Sequence, residues 1–361
     1  MNIHKNFSLK PFNTFRIDVK AKYFFDFEQI DDLLKIIKAN QDDFITSNKL
    51  VLGGGSNVLF TQNFDGFVIK PNLKGITVIK ETDTDVWIKS ACSELWHDLV
   101  TFSVDKNLHG IENMALIPGT VGAAPIQNIA AYGQNLVDTF YELEAINLST
   151  GEIKIFQKDE CEFAYRDSIF KNQLKNQYLV ISVTLKLSKI TSLDTSYFQM
   201  HVSNDSIKAE LAAIAKEPYG VKDVYQAVIN IRTRKLPDPN VSPNIGSFFL
   251  NPLVSKKKLV ELQRKIVELQ FYPPDQLTYK ELNDPEFVKD DFVKLPAGRL
   301  LDELGWRGKW IGNVGTHDKQ ALLIVTNGKA TGAEIIDFAN QMKQSVKDAY
   351  GIELQSEVNI I

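Results

Sequence analysis

The chain has 361 residues, 44% of them hydrophobic and 24% charged; these are ordinary globular values, at a length that accommodates two or three domains. Its 41 basic and 45 acidic residues give a net charge of -4, which argues against a nucleic-acid-binding surface as the main function but leaves room for a local basic pocket facing an anionic small molecule. Cys92 and Cys161 stand far apart, and His4, His97, His109, His201 and His317 are scattered, so neither a disulfide framework nor a metal site is expected. MNIHKNFSLKPFNTF holds no apolar signal core and no run reaches spanning length, which points to a cytoplasmic protein without membrane insertion.

In chain order, FEQIDDLLKIIKAN (27–40) spaces its apolar residues as an amphipathic helix, and KLVLGGGSNVLF follows as a buried strand breaking into glycines. GFVIK, GITVIK and DVWIKSA read as strands, SELWHDLVTFSVDKN as a helix, and YELEAINLSTGEIKIF and YLVISVTLKL as strands again. KAELAAIAKEPYG and VKDVYQAVINIRTRKLPDP supply a helix, a break and a second helix, before the Pro-rich PDPNVSPN marks a boundary. KKKLVELQRKIVELQ and GAEIIDFANQMKQSVKDAYG are amphipathic helices, the latter leading into a terminal strand, IELQSEVNII. The succession is an α+β mixture rather than a regular βαβα alternation.

Two segments are rich in glycine. VLGGGSNVLF places Gly53, Gly54, Gly55, Ser56 and Asn57 directly after a strand, where bare backbone N–H groups approach an anion closely. It is neither G-x-G-x-x-G opening a helix nor a Walker loop, and a tight turn explains it equally well. GIENMALIPGTVGAAPIQNIAAYG gathers small or restricting residues, among them Pro118, Gly119, Gly122, Ala123 and Ala124, before the amides of Gln127 and Asn128. A flat ligand lying on backbone suits that composition, as does a tightly packed loop at a helix entry. Together the two segments suggest an extended dinucleotide held outside a Rossmann fold.

PNIGSFFLNP sets Ser247 between a glycine and two phenylalanines, a polar oxygen in an apolar, water-poor neighbourhood. A nucleophile elbow needs G-x-S-x-G and a partner histidine, and neither is present.

NTFRIDVKA, LGGGSNVLF, ENMALIPGTVGAAPIQNIAAYG, FAYRDSIFK, RTRKLPDP, NIGSFFLNP, PAGRLLDELGWRGKWIGN and SEVNII, in this order, resemble the UDP-N-acetylenolpyruvoylglucosamine reductase (MurB) family, and they extend from residue 13 to the last. The resemblance implies an FAD-binding N-terminal region of the p-cresol methylhydroxylase/vanillyl-alcohol oxidase type, in subdomains 1–70 and 71–215. A substrate-binding α+β domain, 216–361, would follow, its final strand returning to the active site. It also implies FAD and NADPH as cofactors and a UDP-sugar as substrate, with no protein partner evident.

By the same resemblance Gly53–Asn57 and the Pro118–Gly133 stretch, including Thr120 and Gly133, hold the flavin, with Arg232 near it. Arg166 in AYRDSIF matches the catalytic arginine, Ser247 the proton donor and Glu357 the glutamate that stabilises or protonates the enolic intermediate. Read alone, Arg166-Asp167 is more often a surface salt bridge, and Glu357 is by default a solvated edge residue. Tyr165, Lys235, Asn251 and Gln320 match the substrate cleft, and Tyr197 stands where type I members carry a tyrosine that closes over the UDP-sugar. Two alternatives are another flavin oxidoreductase of this fold and a non-catalytic nucleotide-binding protein. The first lacks a local sign of covalent histidyl-flavin attachment, and the second leaves Arg166, Ser247 and Glu357 unexplained.

Overall fold

Alternating apolar residues in KAKYFFDF build the strand Lys20–Phe27, whose buried Ala21, Phe24, Phe25 and Phe27 line a core. In this computed structural model, which describes residues 3–39, 44, 46–190, 193–195, 206–274 and 277–361, the strand belongs to a four-stranded sheet. Its order is His4–Ser8, Lys20–Phe27, Phe64–Pro71, Asn48–Val51. The last two strands run parallel, with Val51 opposite Ile69. Helix Ile30–Ala39 lays Leu33, Ile36 and Ile37 against Phe25, Phe27, Phe67 and Ile69. Each such fully buried side chain contributes about 1.5–3 kcal/mol.

A five-stranded antiparallel sheet follows, ordered Ile153–Gln157, Phe140–Asn147, Tyr178–Ser188, Asp85–Ala91, Ile76–Glu81. Its central strand, YLVISVTLKLS, is buried along nearly its whole length. Helix Trp96–Asp105 contributes Trp96, Leu99, Val100 and Val104 to the core on this sheet. Helix Val221–Lys235 adds Val221, Val224, Ala227, Val228 and Ile231 to the same core.

The chain divides into two compact units: Met1–Phe7, Ala21–Gly54 and Asp65–Arg234 form the first, and Ser8–Lys20, Gly55–Phe64 and Lys235–Ile361 the second. The last junction falls between Arg234 and Lys235, at the last residue of helix Val221–Lys235, whose apolar stripe lies in the first unit's core.

The second unit holds a four-stranded antiparallel sheet ordered Asn244–Ser247, Gln320–Thr326, Val314–His317, Trp310–Ile311. The long helix Gly332–Tyr350 starts at a capping box, with Thr331 Oγ1 accepting from the Glu334 N–H and Glu334 Oε2 accepting from the Thr331 N–H. It ends at Gly351, whose φ of +66° closes the last turn. Ile335, Phe338, Ala339, Met342 and Val346 form its buried stripe.

Two expected elements are shorter than their sequence patterns. The helix at KKKLVELQRKIVELQ stops at Gln263, where bonds from Arg264 to Glu261 and from Lys265 to Leu262 tighten the turn, and Glu268 at φ +52° redirects the chain. At the C-terminus only Asn359–Ile360 is a strand, parallel to Val58–Leu59; before it, Ser356 makes an isolated bridge to Phe249.

Candidate active site

In the first unit the two glycine-rich segments meet. A Cβ on Gly53 would lie 2.7 Å from Thr120 Oγ1, one on Gly54 3.0 Å from Gly119 Cα, and one on Gly122 2.5 Å from Cys92 Cβ. Much of the demand for small residues is therefore chain packing on chain. Gly55, in the second unit, is buried at φ +64°, with no room for a Cβ beside the Phe12 carbonyl. Among the described residues the N–H groups of Gly53, Gly54, Gly55 and Ser56 donate to no protein acceptor. Successive unpaired N–H groups on glycine-rich backbone suit the phosphates of a dinucleotide such as FAD.

Pro118 and Ala123 are exposed, Gln127 is half-buried, and Thr120 is buried beside Gly53. Gly133 turns the small hairpin between Ala130–Ala131 and Gln134–Asn135 at φ +90°. Asn128, by contrast, does not present its amide to a ligand. It is 1% exposed, and its Nδ2 donates to the Ala164 carbonyl at 3.0 Å while Oδ1 accepts from the Val137 N–H at 3.1 Å. Both ends of the amide serve the fold.

Arg166 sits in a two-residue turn closed by Ala164 and Asp167, each N–H donating to the other's carbonyl at 3.0 and 3.3 Å. Its φ is +54°, a left-handed conformation that costs a residue with a Cβ about 1–3 kcal/mol and gathers at functional sites. The guanidinium donates from Nη2 to the Ala130 carbonyl at 3.0 Å and lies 5.9 Å from the Tyr165 ring centre. Asp167 Oδ1 instead accepts from the Ser168 N–H and the Asn172 amide.

Arg232 donates to the Leu116 carbonyl at 3.2 Å and lies 6.0 Å from the Tyr132 ring centre. Its Nε is buried with no partner among the described residues. Burial pushes its acidity up, with Tyr132 opposing the shift and the positive charge of Arg166 adding to it. His97 belongs to the same cluster: Nδ1 accepts from the Leu116 N–H at 3.2 Å and its ring stacks on Tyr225. Burial holds its pKa below the ordinary value, Asp98 opposes, and Arg232 lowers it further. Leu116 and Tyr132 share the left-handed backbone of Arg166, at φ +56° and +49°. Nothing in a single sequence marks such positions when the residue is not glycine or asparagine.

In the second unit Ser247 ends its strand opposite Leu323. Phe248 and Phe249 are buried at 0% and 1%, but Ser247 itself is exposed, so the water-poor setting expected of it is not found. The phenylalanines turn into the core and leave the hydroxyl outside. Immediately after it the chain pairs with the C-terminal segment: the Glu357 N–H donates to the Phe248 carbonyl and the Leu250 N–H to the Gln355 carbonyl, both at 2.9 Å. Asn57 Nδ2 donates to the Glu357 carbonyl at 3.5 Å. Glu357 is half-buried, not a solvated edge residue.

Asn251 Oδ1 accepts from the Ala297 N–H at 2.9 Å, at the start of helix Ala297–Glu303, so one end of that amide is structural. Gln320 is half-buried, its Oε1 against Gly298, and Lys235 is the last residue of its helix. Tyr197 lies outside the described residues.

Comparison with known proteins decides what this constellation belongs to. The sequence is 43% identical over 362 residues to the UDP-N-acetylenolpyruvoylglucosamine reductase of Flavobacterium johnsoniae, covering 100% of both chains. The chain belongs to the UDP-N-acetylenolpyruvoylglucosamine reductase family. The reductase of Bacteroides fragilis is 37% identical over 99% of this chain and 100% of its own. The crystal structure of the MurB reductase from Thermus caldophilus superposes with a TM-score of 0.64, over 100% of this chain and 99% of that one, at 18% identity, and so shares the fold.

Residues 21–157 match an FAD-binding domain and residues 238–361 the C-terminal domain of the reductase family. The α+β architecture, with an FAD-binding region of the p-cresol methylhydroxylase type followed by the reductase domain, stands as expected. Both glycine-rich segments lie within the first match, and Ser247, Asn251, Gln320 and Glu357 within the second. Arg166, Arg232 and Lys235 fall between the matched ranges.

Proposed function

We propose that the chain reduces UDP-N-acetylglucosamine enolpyruvate to UDP-N-acetylmuramate, with NADPH as electron source, in the synthesis of peptidoglycan precursors. The observation that carries this reading is similarity at 43% identity to a reductase of that family across the whole of both chains. Subdomains 1–70 and 71–215 are taken as the flavin-binding part, a reading supported by the separate four- and five-stranded sheets.

FAD supplies, when bound and reduced by NADPH, one hydride to the terminal vinyl carbon of the substrate. The residues that fit it are the unpaired N–H groups from Gly53 to Ser56, the 119–123 turn packed beside Gly53 and Gly54, and Arg232, whose buried Nε has no partner among the described residues. Addition of hydride leaves negative charge on the adjacent carbon and its carboxylate. Arg166 opposes that charge with its planar, delocalised guanidinium. Ser247 Oγ–H gives the proton to the carbon, and Glu357 assists in stabilising or protonating the enolic species. The sum is one hydride and one proton across one double bond, with NADPH leaving as NADP+.

The exposed hydroxyl of Ser247 is open to a ligand, and the Phe248–Glu357 backbone bond supports a joint role for Ser247 and Glu357. Tyr165, Tyr197, Lys235, Gln320 and the remaining amide nitrogen of Asn251 are assigned to the UDP-sugar, with Lys235 suited to a diphosphate as a flexible point charge. No nucleic acid or protein partner is part of this function, and the reaction is placed in the cytoplasm. Among the described residues no helix is long and apolar enough to cross a membrane.

The purified protein is expected to be yellow and to oxidise NADPH in proportion to added UDP-N-acetylglucosamine enolpyruvate. A colourless protein that takes up no added FAD would sink the reading.

A further inference from the structure

The turn that carries Arg166 is fastened to the 126–130 segment at three alternate residues. Ser168 Oγ donates to the Ile126 carbonyl at 2.7 Å, Asn128 Nδ2 donates to the Ala164 carbonyl at 3.0 Å, and Arg166 Nη2 donates to the Ala130 carbonyl at 3.0 Å. Asn128 cannot reverse its amide, because Oδ1 already accepts from the Val137 N–H and a flip would break both bonds. Its own φ of +42° is one that asparagine tolerates better than most residues. Ser168, 0% exposed, holds the far end of the same turn and also accepts from the Phe170 N–H.

Arg166 needs this support. A left-handed residue with a long side chain persists only where its surroundings over-determine it. Freed of the bond to Ala164, the turn would relax toward ordinary φ and swing the guanidinium off its line.

We propose that Asn128 is the positioning residue for Arg166: through the Ala164 carbonyl it fixes the Tyr165–Arg166 turn, so that the guanidinium meets the developing charge of the substrate without first reorganising. Ser168 does the same from the other end of the turn. The assignment rests on the catalytic reading of Arg166 given above.

The test is a double-mutant comparison on the flavoprotein, with the two half-reactions followed separately. Asn128→Asp keeps size and the acceptor for Val137 but replaces the donor to Ala164 by a carboxylate oxygen. Reoxidation of the NADPH-reduced enzyme by UDP-N-acetylglucosamine enolpyruvate should slow by about tenfold or more, as misplacement of a catalytic group does. Flavin reduction by NADPH should stay within about twofold, and in an Arg166→Ala background the same substitution should change reoxidation by less than about twofold.

Equal slowing in both backgrounds, or of both half-reactions, overturns the assignment. Should Arg166→Ala itself reoxidise at the wild-type rate, the catalytic reading of Arg166 falls, a different result from additivity. If Asn128→Asp fails to accumulate as a folded flavoprotein, Ser168→Ala takes its place in the same comparisons, and the same results support or overturn the assignment.

Discussion

The Glu357 N–H donates to the Phe248 carbonyl at 2.9 Å, which pins the C-terminal glutamate to the residue that follows Ser247. Both atoms are main chain, so the pairing does not require the Glu357 carboxylate. Glu357→Gln should therefore change stability by no more than about 0.5 kcal/mol while slowing reoxidation of the reduced enzyme. Calorimetry and rapid mixing on one preparation check it; a large loss of stability would make Glu357 structural.

Arg166 pays a conformational cost at φ +54°. Arg166→Gly removes that strain together with the guanidinium, so thermal stability should hold or rise slightly while reoxidation falls by about 10²- to 10³-fold, as when one charge-stabilising donor is lost. Arg166→Lys keeps the charge but not the fork, and should recover only part of the rate. A glycine variant that melts well below the wild type would show that Arg166 mainly holds the fold.

The glycines differ in what they tolerate. Gly54→Ala would set a Cβ 3.0 Å from Gly119 Cα, backbone that must shift between the two loops. It should weaken FAD binding and cost about 1–3 kcal/mol, the usual range for overpacking. Gly53→Ala meets the movable Thr120 hydroxyl and should be milder. Titration of the apoproteins with FAD gives the order; a Gly54 variant that binds FAD like wild type would contradict the loop contact.

His97 carries a pH dependence. Its folded-state pKa lies below the ordinary 6.5, first because of burial and then through Arg232, with Asp98 opposing. The unfolded chain thus binds more protons than the folded one near and below that value, so stability is present above it and declines as pH falls through the folded pKa. Protonation would also cancel Nδ1 as acceptor for Leu116, whose carbonyl holds Arg232. Melting temperatures from about pH 8 to pH 5 should fall less steeply in His97→Gln than in wild type; identical slopes would remove His97 from the cluster's pH response.

Much of this fold was legible in the sequence because it follows apolar period. The stripes of Ile30–Ala39, Trp96–Asp105 and Gly332–Tyr350 and the alternation in Lys20–Phe27 each declare their element. The stripe of Val221–Lys235 declared a helix but not which core would bury it. Ordered motifs brought Ser247, Arg166 and Glu357 forward. What stayed hidden depends on tertiary backbone: the left-handed Leu116 and Tyr132, the internal use of the Asn128 amide, and the outward face of Ser247 beside two buried phenylalanines. No local pattern distinguishes an asparagine that binds a cofactor from one that holds a neighbouring turn.

The most direct test is the anaerobic half-reaction kinetics of Ser247→Ala beside the wild type. NADPH should reduce the flavin of both at nearly the same rate, and UDP-N-acetylglucosamine enolpyruvate should then reoxidise the wild type rapidly and the variant about 10²- to 10⁴-fold more slowly, the usual range for a lost proton donor. Equal loss in both half-reactions, or a reduced wild type that the UDP-sugar does not reoxidise, would contradict the account.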